Sequence, residues 1–196
     1  NGLKIEKVII VKRAGQDIPW NKDVDIWHHE LINDISQNAN VPAERCGSED
    51  FSYILYTSGT TATPKGCVIP IGGYAVSLYT TMKLIFDVRD DDIYWCTADI
   101  GWVTGHSYIV YGSLMTGLTS IMYEGAPDYP RPDRWWSIIH RYGVTVFYTT
   151  PTAIRMLMKF PEEYVRKYDL STVRIARFVG EPINPEAFKW YYRNIG

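Results

Sequence analysis

Short apolar runs alternate along the chain with longer stretches in which apolar residues recur every three or four positions. The short runs are typical of buried strands, and the longer stretches are typical of helices with one buried face. In chain order, the predicted strands are residues 7–12, 51–56, 67–69, 93–96, 119–123, 144–148 and 173–179. The predicted helices lie within residues 25–35, 72–85, 106–117, 132–142, 150–158 and 184–195. This alternation predicts an α/β fold with a largely parallel sheet and helices on both faces.

Several polar residues and prolines mark the predicted starts of helices. Asn184-Pro185 combines a capping side chain with a proline at the first helical position, and Thr150-Pro151 starts the helix before it. Pro132 suits the first position of another helix, and Asp25 is expected to cap the first one. The acidic trio Asp90–Asp92 has the ligand type for a metal, but we interpret it as a solvated turn.

Four predicted loops follow strands and are rich in hydroxyl groups or glycine. They are residues 56–66, 97–106, 149–152 and 179–182. In open parallel sheets, ligands bind at the carboxyl ends of the strands. We therefore expect these four loops to converge on one crevice.

The loop from Tyr56 to Gly66 carries the clearest chemistry. It contains two glycines, one lysine (Lys65) and a cluster of hydroxyl residues, which are Thr57, Ser58, Thr60, Thr61 and Thr63. Hydroxyls, backbone N–H groups and one ammonium form a cradle for an anion such as a polyphosphate. The loop is not a standard P-loop, because Gly66 rather than Ser or Thr follows the lysine. The alternative interpretation is a hydroxyl-rich surface turn.

Two further segments have both a functional and a structural interpretation. Residues 101–106 form either the wall of a small-molecule pocket or a turn with Trp102 in the core and His106 on a backbone carbonyl. In the segment 179–182, Gly180 would let a flat ring stack against the backbone. Glu181, alternatively, would only favour the dipole of the helix that follows.

Composition narrows the classes of function. The chain has 196 residues, of which 46% are hydrophobic, and its aromatic content of 14% reflects 7 Trp and 15 Tyr. This is enough for one domain with a sizeable core. The net charge is −2 and no basic block occurs, which argues against a nucleic-acid partner. No apolar run approaches the length of a membrane span, and no signal peptide opens the chain. Cys46, Cys67 and Cys96 form no Cys-x-x-Cys pair, which favours reduced thiols in the cytoplasm.

The segment 57–66 resembles the phosphate-binding loop of AMP-forming, adenylate-forming enzymes, whose pattern is Thr-Ser-Gly-Ser/Thr-Thr-Gly-x-Pro-Lys-Gly. The chain departs from this pattern at Ala62, where the family usually has glycine. Further motifs are similar to the acetyl-CoA synthetase branch of that family. They are residues 93–99, 101–108, 123–127, 150–155 and 179–187, and they occur in the family's order.

The resemblance implies roles for the matching positions. The phosphates of ATP would be held by Thr57, Ser58, Gly59, Thr60, Thr61 and Lys65. Adenine would be lined by Gly180, Glu181 and Pro182, and the acyl group by Val103, Thr104 and Val179. Coenzyme A would meet Thr104 and Asp128, although the branch usually has asparagine at the latter position. Ala176-Arg177-Phe178 replaces the smaller residues that usually precede the adenine segment. No protein metal site is expected.

The resemblance also implies an activity, an acetate–CoA ligase that uses ATP, CoA and Mg²⁺. Acetate would attack the α-phosphorus of ATP, and the thiol of CoA would then attack the acetyl-adenylate and release AMP. Residues 1–196 would be part of the N-terminal adenylation domain, without the upstream region and without the mobile C-terminal domain and its catalytic lysine. We therefore expect the 196-residue piece alone to be inactive, and no catalytic residue is assigned within it.

Three alternatives stay open from the sequence. The acid could be propionate or another short-chain carboxylate. The hydroxyl-rich loop could belong to a phosphotransferase, which would release ADP instead of AMP. The aromatic-rich chain could also be a non-catalytic module that binds a ligand such as a sugar.

Overall fold

The computed structural model describes residues 4–35, 39–57 and 63–196, and the chain divides into two compact units, Asn1–Arg45 and Cys46–Gly196. In the first unit, strands β1 (Val8–Ile10) and β2 (Asp25–Trp27) pair in parallel, and helix α1 (His28–Asp34) follows directly. The prediction that Asp25 caps α1 is wrong. Its carboxylate accepts a hydrogen bond from the backbone N–H of Asn21 (2.7 Å) and so ties β2 to the preceding turn.

The second unit carries the remaining elements. Its strands are β3 (Phe51–Thr57), β4 (Lys65–Pro70), β5 (Ile93–Cys96), β6 (Thr119–Ser120), β7 (Val146–Thr149) and β8 (Ile175–Phe178). Its α-helices are α2 (Ile71–Thr80), α3 (Gly112–Met115), α4 (Arg134–Tyr142), α5 (Pro151–Leu157), α6 (Glu163–Arg166) and α7 (Pro185–Ile195). Two π-helical stretches, Thr81–Ile85 and Gly105–Tyr111, continue α2 and precede α3. Across the described ranges, every helix is too short or too polar to traverse a bilayer.

Strands β5 to β8 form one sheet in the spatial order β6-β5-β7-β8, and every neighbouring pair is parallel. After β5 the chain moves outward to β6, and it then crosses back over β5 to reach β7 on the other side. The strand order therefore reverses between β5 and β7. This is a topological switch point, where open α/β sheets leave a crevice at the carboxyl ends of the strands.

The sheet is covered on both faces, as the apolar pattern predicts. In β7, Phe147 joins a cluster with residues of α4, α5 and α7, whereas Val146 and Tyr148 join a cluster with Met82 and Phe86 on the opposite face. Successive residues of a strand point to opposite faces. The central strands are therefore buried on both sides, and the prediction of a largely parallel sheet with helices on both faces is confirmed.

The hairpin β3–β4 departs from the parallel pattern. Its strands are antiparallel, with Thr57 opposite Lys65, and they form a sheet of their own within the described part of the chain. The hairpin leads directly into α2, and Tyr53 packs edge-on against Tyr74 of that helix, with ring centroids 5.2 Å apart. The expectation that this loop follows a strand of the parallel sheet is therefore wrong, because the partner of β3 is the strand next along the chain.

Asp92 corrects the interpretation of the acidic trio as a merely solvated turn. Asp90 and Asp91 are exposed, but Asp92 is only 3% exposed. Its carboxylate forms an ion pair with Arg174 and also accepts hydrogen bonds from the hydroxyl of Thr145 (2.6 Å) and the backbone N–H of Arg89 (2.7 Å). Asp92 thus joins the start of β5 to the segments that lead into β7 and β8.

The predicted helix starts are partly confirmed. Thr150 is the N-cap of α5, and its hydroxyl accepts a hydrogen bond from the N–H of Ala153 (3.3 Å). Asn184 occupies the N-cap position of α7, with proline in the first turn, but within the described chain its side chain forms no capping hydrogen bond. Pro132 is not the first residue of α4, because that helix begins at Arg134 and Asp133 occupies the N-cap position.

We predict that Asp92→Asn destabilises the protein by about 2–3 kcal/mol at neutral pH, because it leaves Arg174 without its buried counter-charge. Burial alone would raise the pKa of Asp92, but hydrogen bonds from Arg174 and Thr145 lower it below the ordinary value of 3.8. The contribution of the ionised carboxylate is therefore complete above that ordinary pKa and is lost as pH falls through the lowered pKa of the folded state.

Urea unfolding of the purified protein at pH 7 and in acid measures this difference in the free energy of unfolding. The exposed Asp91→Asn is the matched control and should change stability by less than about 0.5 kcal/mol. An Asp92→Asn penalty that stays constant down to the most acidic pH would contradict the assigned ion pair.

Candidate functional site

The loops at the carboxyl ends of the four parallel strands lie side by side. In the order of the sheet, the segment after β6 contains Asp128, the segment after β5 contains Val103 and Thr104, the segment after β7 contains Thr152, and the segment after β8 is residues 179–182. The parallel sheet thus brings three of the four predicted loops, together with the Asp128 segment, to one edge. We call this row of segments the carboxyl edge.

Hydrogen bonds continue the strand pairing into these loops. The N–H of Thr97 donates to the carbonyl of Tyr148 (2.9 Å), and the N–H of Val179 donates to the carbonyl of Thr149 (3.0 Å). The hydroxyl of Thr97 also donates to that of Thr149 (2.8 Å), across the switch point between β5 and β7. The first residue of each loop is therefore fixed by the sheet.

The residues predicted for the acyl pocket lie on one side of the sheet. Val179 packs against the cluster that contains Cys96 and Tyr148, and Tyr108 of the second π-helical stretch packs against the same cluster. Val103 and Thr104, which are half-buried, come directly before that stretch. Val179 and the stretch that follows Val103 and Thr104 thus pack on the same face of the sheet.

Gly105 holds the Val103 segment close to the preceding turn. A Cβ atom on this glycine would collide with the carbonyl oxygen of Asp99 and would lie 2.7 Å from the Cα of Ile100. Only glycine permits this approach of one backbone to another. The position of Val103 and Thr104 therefore depends on Gly105.

Trp102 and His106 do not occupy the positions that the structural interpretation expects. The side chain of Trp102 is 72% exposed rather than part of the core. His106 is exposed, and its backbone N–H donates to the carbonyl of Trp102 (3.1 Å). The indole of Trp102 is therefore exposed at the carboxyl edge and does not belong to the core.

In the segment predicted to line adenine, the backbone at Gly180 is unobstructed, whereas the carboxylate of Glu181 is already hydrogen-bonded. Gly180 has φ +87°, a conformation that favours glycine, and no atom of the described chain lies within 4 Å of where its Cβ would be. The carboxylate of Glu181 accepts hydrogen bonds from the N–H of Thr152 (2.7 Å) and from the Thr152 hydroxyl. It also pairs with Arg155, whose Nη2 lies 2.7 Å from Oε2.

These contacts relocate the helix interaction suggested for Glu181. Thr152 lies in the first turn of α5. Glu181 therefore stabilises the N-terminus of α5 rather than that of α7. Hydrogen bonds from Thr152 and then Arg155 hold the pKa of Glu181 below its usual value. The carboxylate is therefore ionised at neutral pH and is already engaged.

Asp128 follows β6, and Gly180 follows β8, the strand at the opposite side of the sheet. It is half-buried in a turn closed by a hydrogen bond from the N–H of Tyr129 to the carbonyl of Ala126 (3.2 Å), and the hydroxyl of Tyr123 donates to the same carbonyl (2.9 Å). Two strands, β5 and β7, lie between the strands that precede Asp128 and the segment predicted for adenine.

The predicted phosphate-binding loop is the connection of the hairpin β3–β4. Thr57 and Lys65 are paired across its base, and both are exposed. Ser58, Gly59, Thr60 and Thr61 lie outside the described residues, as does Ala62. Behind the hairpin, the hydroxyl of Tyr74 shares a hydrogen bond with that of Ser107 (2.7 Å), so α2 joins the hairpin to the face that carries the acyl-pocket candidates.

Two departures from the family pattern leave the register of β8 intact. Arg177 donates from Nη2 to the carbonyl of Ile85 (3.2 Å), and Phe178 packs against Tyr191 with ring centroids 4.4 Å apart. Val179 keeps its backbone hydrogen bond to β7. The larger side chains are therefore accommodated on the two faces of the sheet.

Sequence reasoning missed Arg155 as part of this edge. The residue belongs to the quoted motif 150–155, but its link to Glu181 spans 26 positions of the chain. The described ranges contain no group of three or more His, Cys, Asp or Glu placed to hold a metal ion.

Comparison with known proteins defines the class. Residues 3–196 match the family of AMP-binding enzymes, and the chain belongs to that family. It is 61% identical over 193 residues to acetyl-coenzyme A synthetase of Pyrobaculum aerophilum and 54% identical over 196 residues to that of Methanothrix thermoacetophila. It is 50% identical over 192 residues to acetyl-coenzyme A synthetase 2 of Pseudomonas aeruginosa.

These relatives are much longer than the chain. The alignments cover 98%, 100% and 98% of this chain but 29%, 29% and 30% of the respective relatives. The resemblance to adenylate-forming enzymes is thus confirmed at the level of the family.

We predict that Gly105→Ala lowers the free energy of unfolding by about 1–3 kcal/mol, because the added methyl group must push the backbone of Asp99 and Ile100 aside. Gly73→Ala is the matched control, since its Cβ would meet only Pro70 at 3.4 Å. Within α2 that alanine should be neutral or should stabilise by up to about 1 kcal/mol. Chemical denaturation of both variants tests the pair, and equal effects would contradict the close approach at Gly105.

Proposed function

We propose that the full-length protein containing this chain is an acetate–CoA ligase that forms AMP, with ATP, CoA and acetate as substrates in the cytoplasm. The chain spans less than a third of its acetyl-coenzyme A synthetase relatives, so the activity belongs to a longer protein. Residues 1–196 would be the central part of its adenylation domain. The observation that carries the proposal is the row of segments at the carboxyl edge of the sheet.

In this proposal, the segments of the carboxyl edge together form one binding cleft. The segment with Asp128 receives CoA, the segment with Val103 and Thr104 borders the acyl group, and the segment from Val179 to Pro182 borders the nucleotide. Thr104 lies between the two ends and contacts both the acyl group and CoA. The arrangement suits a reaction in which the nucleotide and the thiol approach one carboxyl group from opposite sides, because position supplies much of the rate enhancement.

The polar groups of the hairpin loop would neutralise charge on the departing pyrophosphate. The ammonium of Lys65, the hydroxyl of Thr57 and the loop residues Ser58, Gly59, Thr60 and Thr61 would hold the β- and γ-phosphates. Carboxylates are weak nucleophiles, so charge stabilisation on the leaving group lowers the barrier to attack at the α-phosphorus. Mg²⁺ would enter bound to the phosphates of ATP and add to this neutralisation.

The adenine would stack on the backbone near Gly180. That residue presents an open peptide surface, and Pro182 adds a rigid apolar ring two positions later. The carboxylate of Glu181 is held by α5, so we assign the nucleotide contact of this residue to its backbone.

The size of the acid is tested by a substrate panel on the full-length protein. We expect acetate to support the highest kcat/KM, because the close relatives are named acetyl-coenzyme A synthetases. Propionate should follow with a loss of about tenfold to a hundredfold, the usual discrimination for one methylene. Equal use of propionate and butyrate would point to a broader acyl-CoA synthetase, and release of ADP would point to a phosphotransferase.

We predict that Lys65→Ala in the full-length protein slows acetate-dependent ATP–pyrophosphate exchange by about a hundredfold or more, because a preorganised cation is lost from the leaving group. Thioester formation from preformed acetyl-adenylate should change far less, since pyrophosphate has already departed. The two half-reactions, measured separately, test the role.

Lys189→Ala, which removes an exposed lysine on α7, is the matched control and should leave both half-reactions unchanged. Equal slowing of both steps by Lys65→Ala would argue against a role on the phosphates.

A further inference from the structure

Arg155 closes a ring of hydrogen bonds between two segments of the carboxyl edge. Its Nη2 lies 2.7 Å from Oε2 of Glu181 and 2.6 Å from the hydroxyl oxygen of Thr152. That hydroxyl donates in turn to Oε1 of Glu181, and the backbone N–H of Thr152 donates to the same oxygen at 2.7 Å. Three groups that belong to α5 therefore hold one carboxylate.

This ring differs from an ordinary surface ion pair. An isolated exposed pair contributes little, because water competes for both charges and the side chains lose conformational freedom. Here the side chains of Arg155 and Glu181 are only 38% and 34% exposed. The two oxygens of one carboxylate accept hydrogen bonds from a guanidinium, a hydroxyl and a helix N–H. Each contact reduces the freedom of the next, which makes the set a network.

The ring acts on a segment that has little else to hold it. Val179 is anchored to β7 by its backbone, but Gly180 has an unhindered left-handed conformation and Pro182 donates no backbone hydrogen bond. Within the described chain, the side chain of Glu181 thus anchors the segment between β8 and α7 to helix α5.

We infer that Arg155 is a positioning residue that holds residues 179–182 in the shape that receives a nucleotide. This inference rests on the proposed function, in which that segment borders adenine. Arg155 does not touch the nucleotide. It fixes the carboxylate of Glu181 on α5, and the backbone of Gly180 is thereby presented to the ring of the base.

The test compares Arg155→Gln, Glu181→Gln and the double variant in the full-length protein. We expect Arg155→Gln to raise the KM for ATP and to weaken AMP binding, measured by calorimetry, by about tenfold, which corresponds to one broken charged contact of the ring. The KM for CoA should stay within about twofold, because CoA binds at the other end of the edge. The double variant should lose no more than Arg155→Gln alone, since both substitutions break one network.

Two variants serve as matched controls. Arg155→Lys keeps the charge but not the planar fork that reaches Thr152 and Glu181 together, so it should recover part of the AMP affinity. Arg166→Gln breaks a pair of the same kind, with Glu162, that involves no residue of the carboxyl edge. It should leave both the AMP affinity and the KM for ATP unchanged.

Hydrogen exchange of the ligand-free protein separates this inference from the proposed function. Arg155→Gln should speed exchange of the amides in residues 179–183 by about tenfold, because local opening becomes easier. Unchanged exchange, or faster exchange with unchanged AMP affinity, overturns the inference. If the wild-type protein shows neither AMP binding nor acid-dependent exchange of pyrophosphate, the proposed function fails and the nucleotide role of Arg155 falls with it. Faster amide exchange in Arg155→Gln would still establish that the ring holds the segment.

Discussion

The parallel pairing of β5 with β7 is the constraint on which the rest of the second unit depends. It is buried on both faces, by aromatic and aliphatic side chains that alternate along each strand. It also lies where the strand order reverses, so the chain leaves β5 and β7 toward opposite sides of the sheet. Such a reversal favours a crevice at the carboxyl edge, because the two departing segments separate there. Any side chain that acts there is placed first by the sheet and only then by its own loop.

Gly105, Glu181 and Asp92 fix the positions of segments next to the ends of the strands. Gly105 allows one turn to approach another, and Glu181 ties the end of β8 to the first turn of α5. Asp92 makes a similar connection at the opposite end of the strands, where its ion pair joins β5 to Arg174. Polar contacts at both ends of the strands therefore complement an apolar middle.

Local pattern was enough to predict much of this fold. The apolar run at residues 93–96 coincides with β5, Thr150 caps α5, and Asn184 stands at the N-cap position of α7, because these signals act over a few residues. The order of the strands and the antiparallel partner of β3 could not be predicted from the sequence, because an apolar run does not indicate which strand it pairs with. In the sequence Asp92 resembles its two acidic neighbours, and contacts 53 and 82 positions away distinguish it. For the candidate site, the strand ends predicted which loops meet at the carboxyl edge, whereas the contact of Glu181 with Arg155 depends on the position of α5 beside the segment after β8.

The separate pairing of the hairpin β3–β4 has a consequence for how much change the connection between its strands tolerates. Across the described chain it forms a ladder apart from the four-stranded sheet and is secured through α2. A residue inserted or exchanged between Thr57 and Lys65 would thus be absorbed within the hairpin, without a change of register in β5 or β7. An altered loop could therefore be grafted onto the hairpin at small cost to the four-stranded sheet.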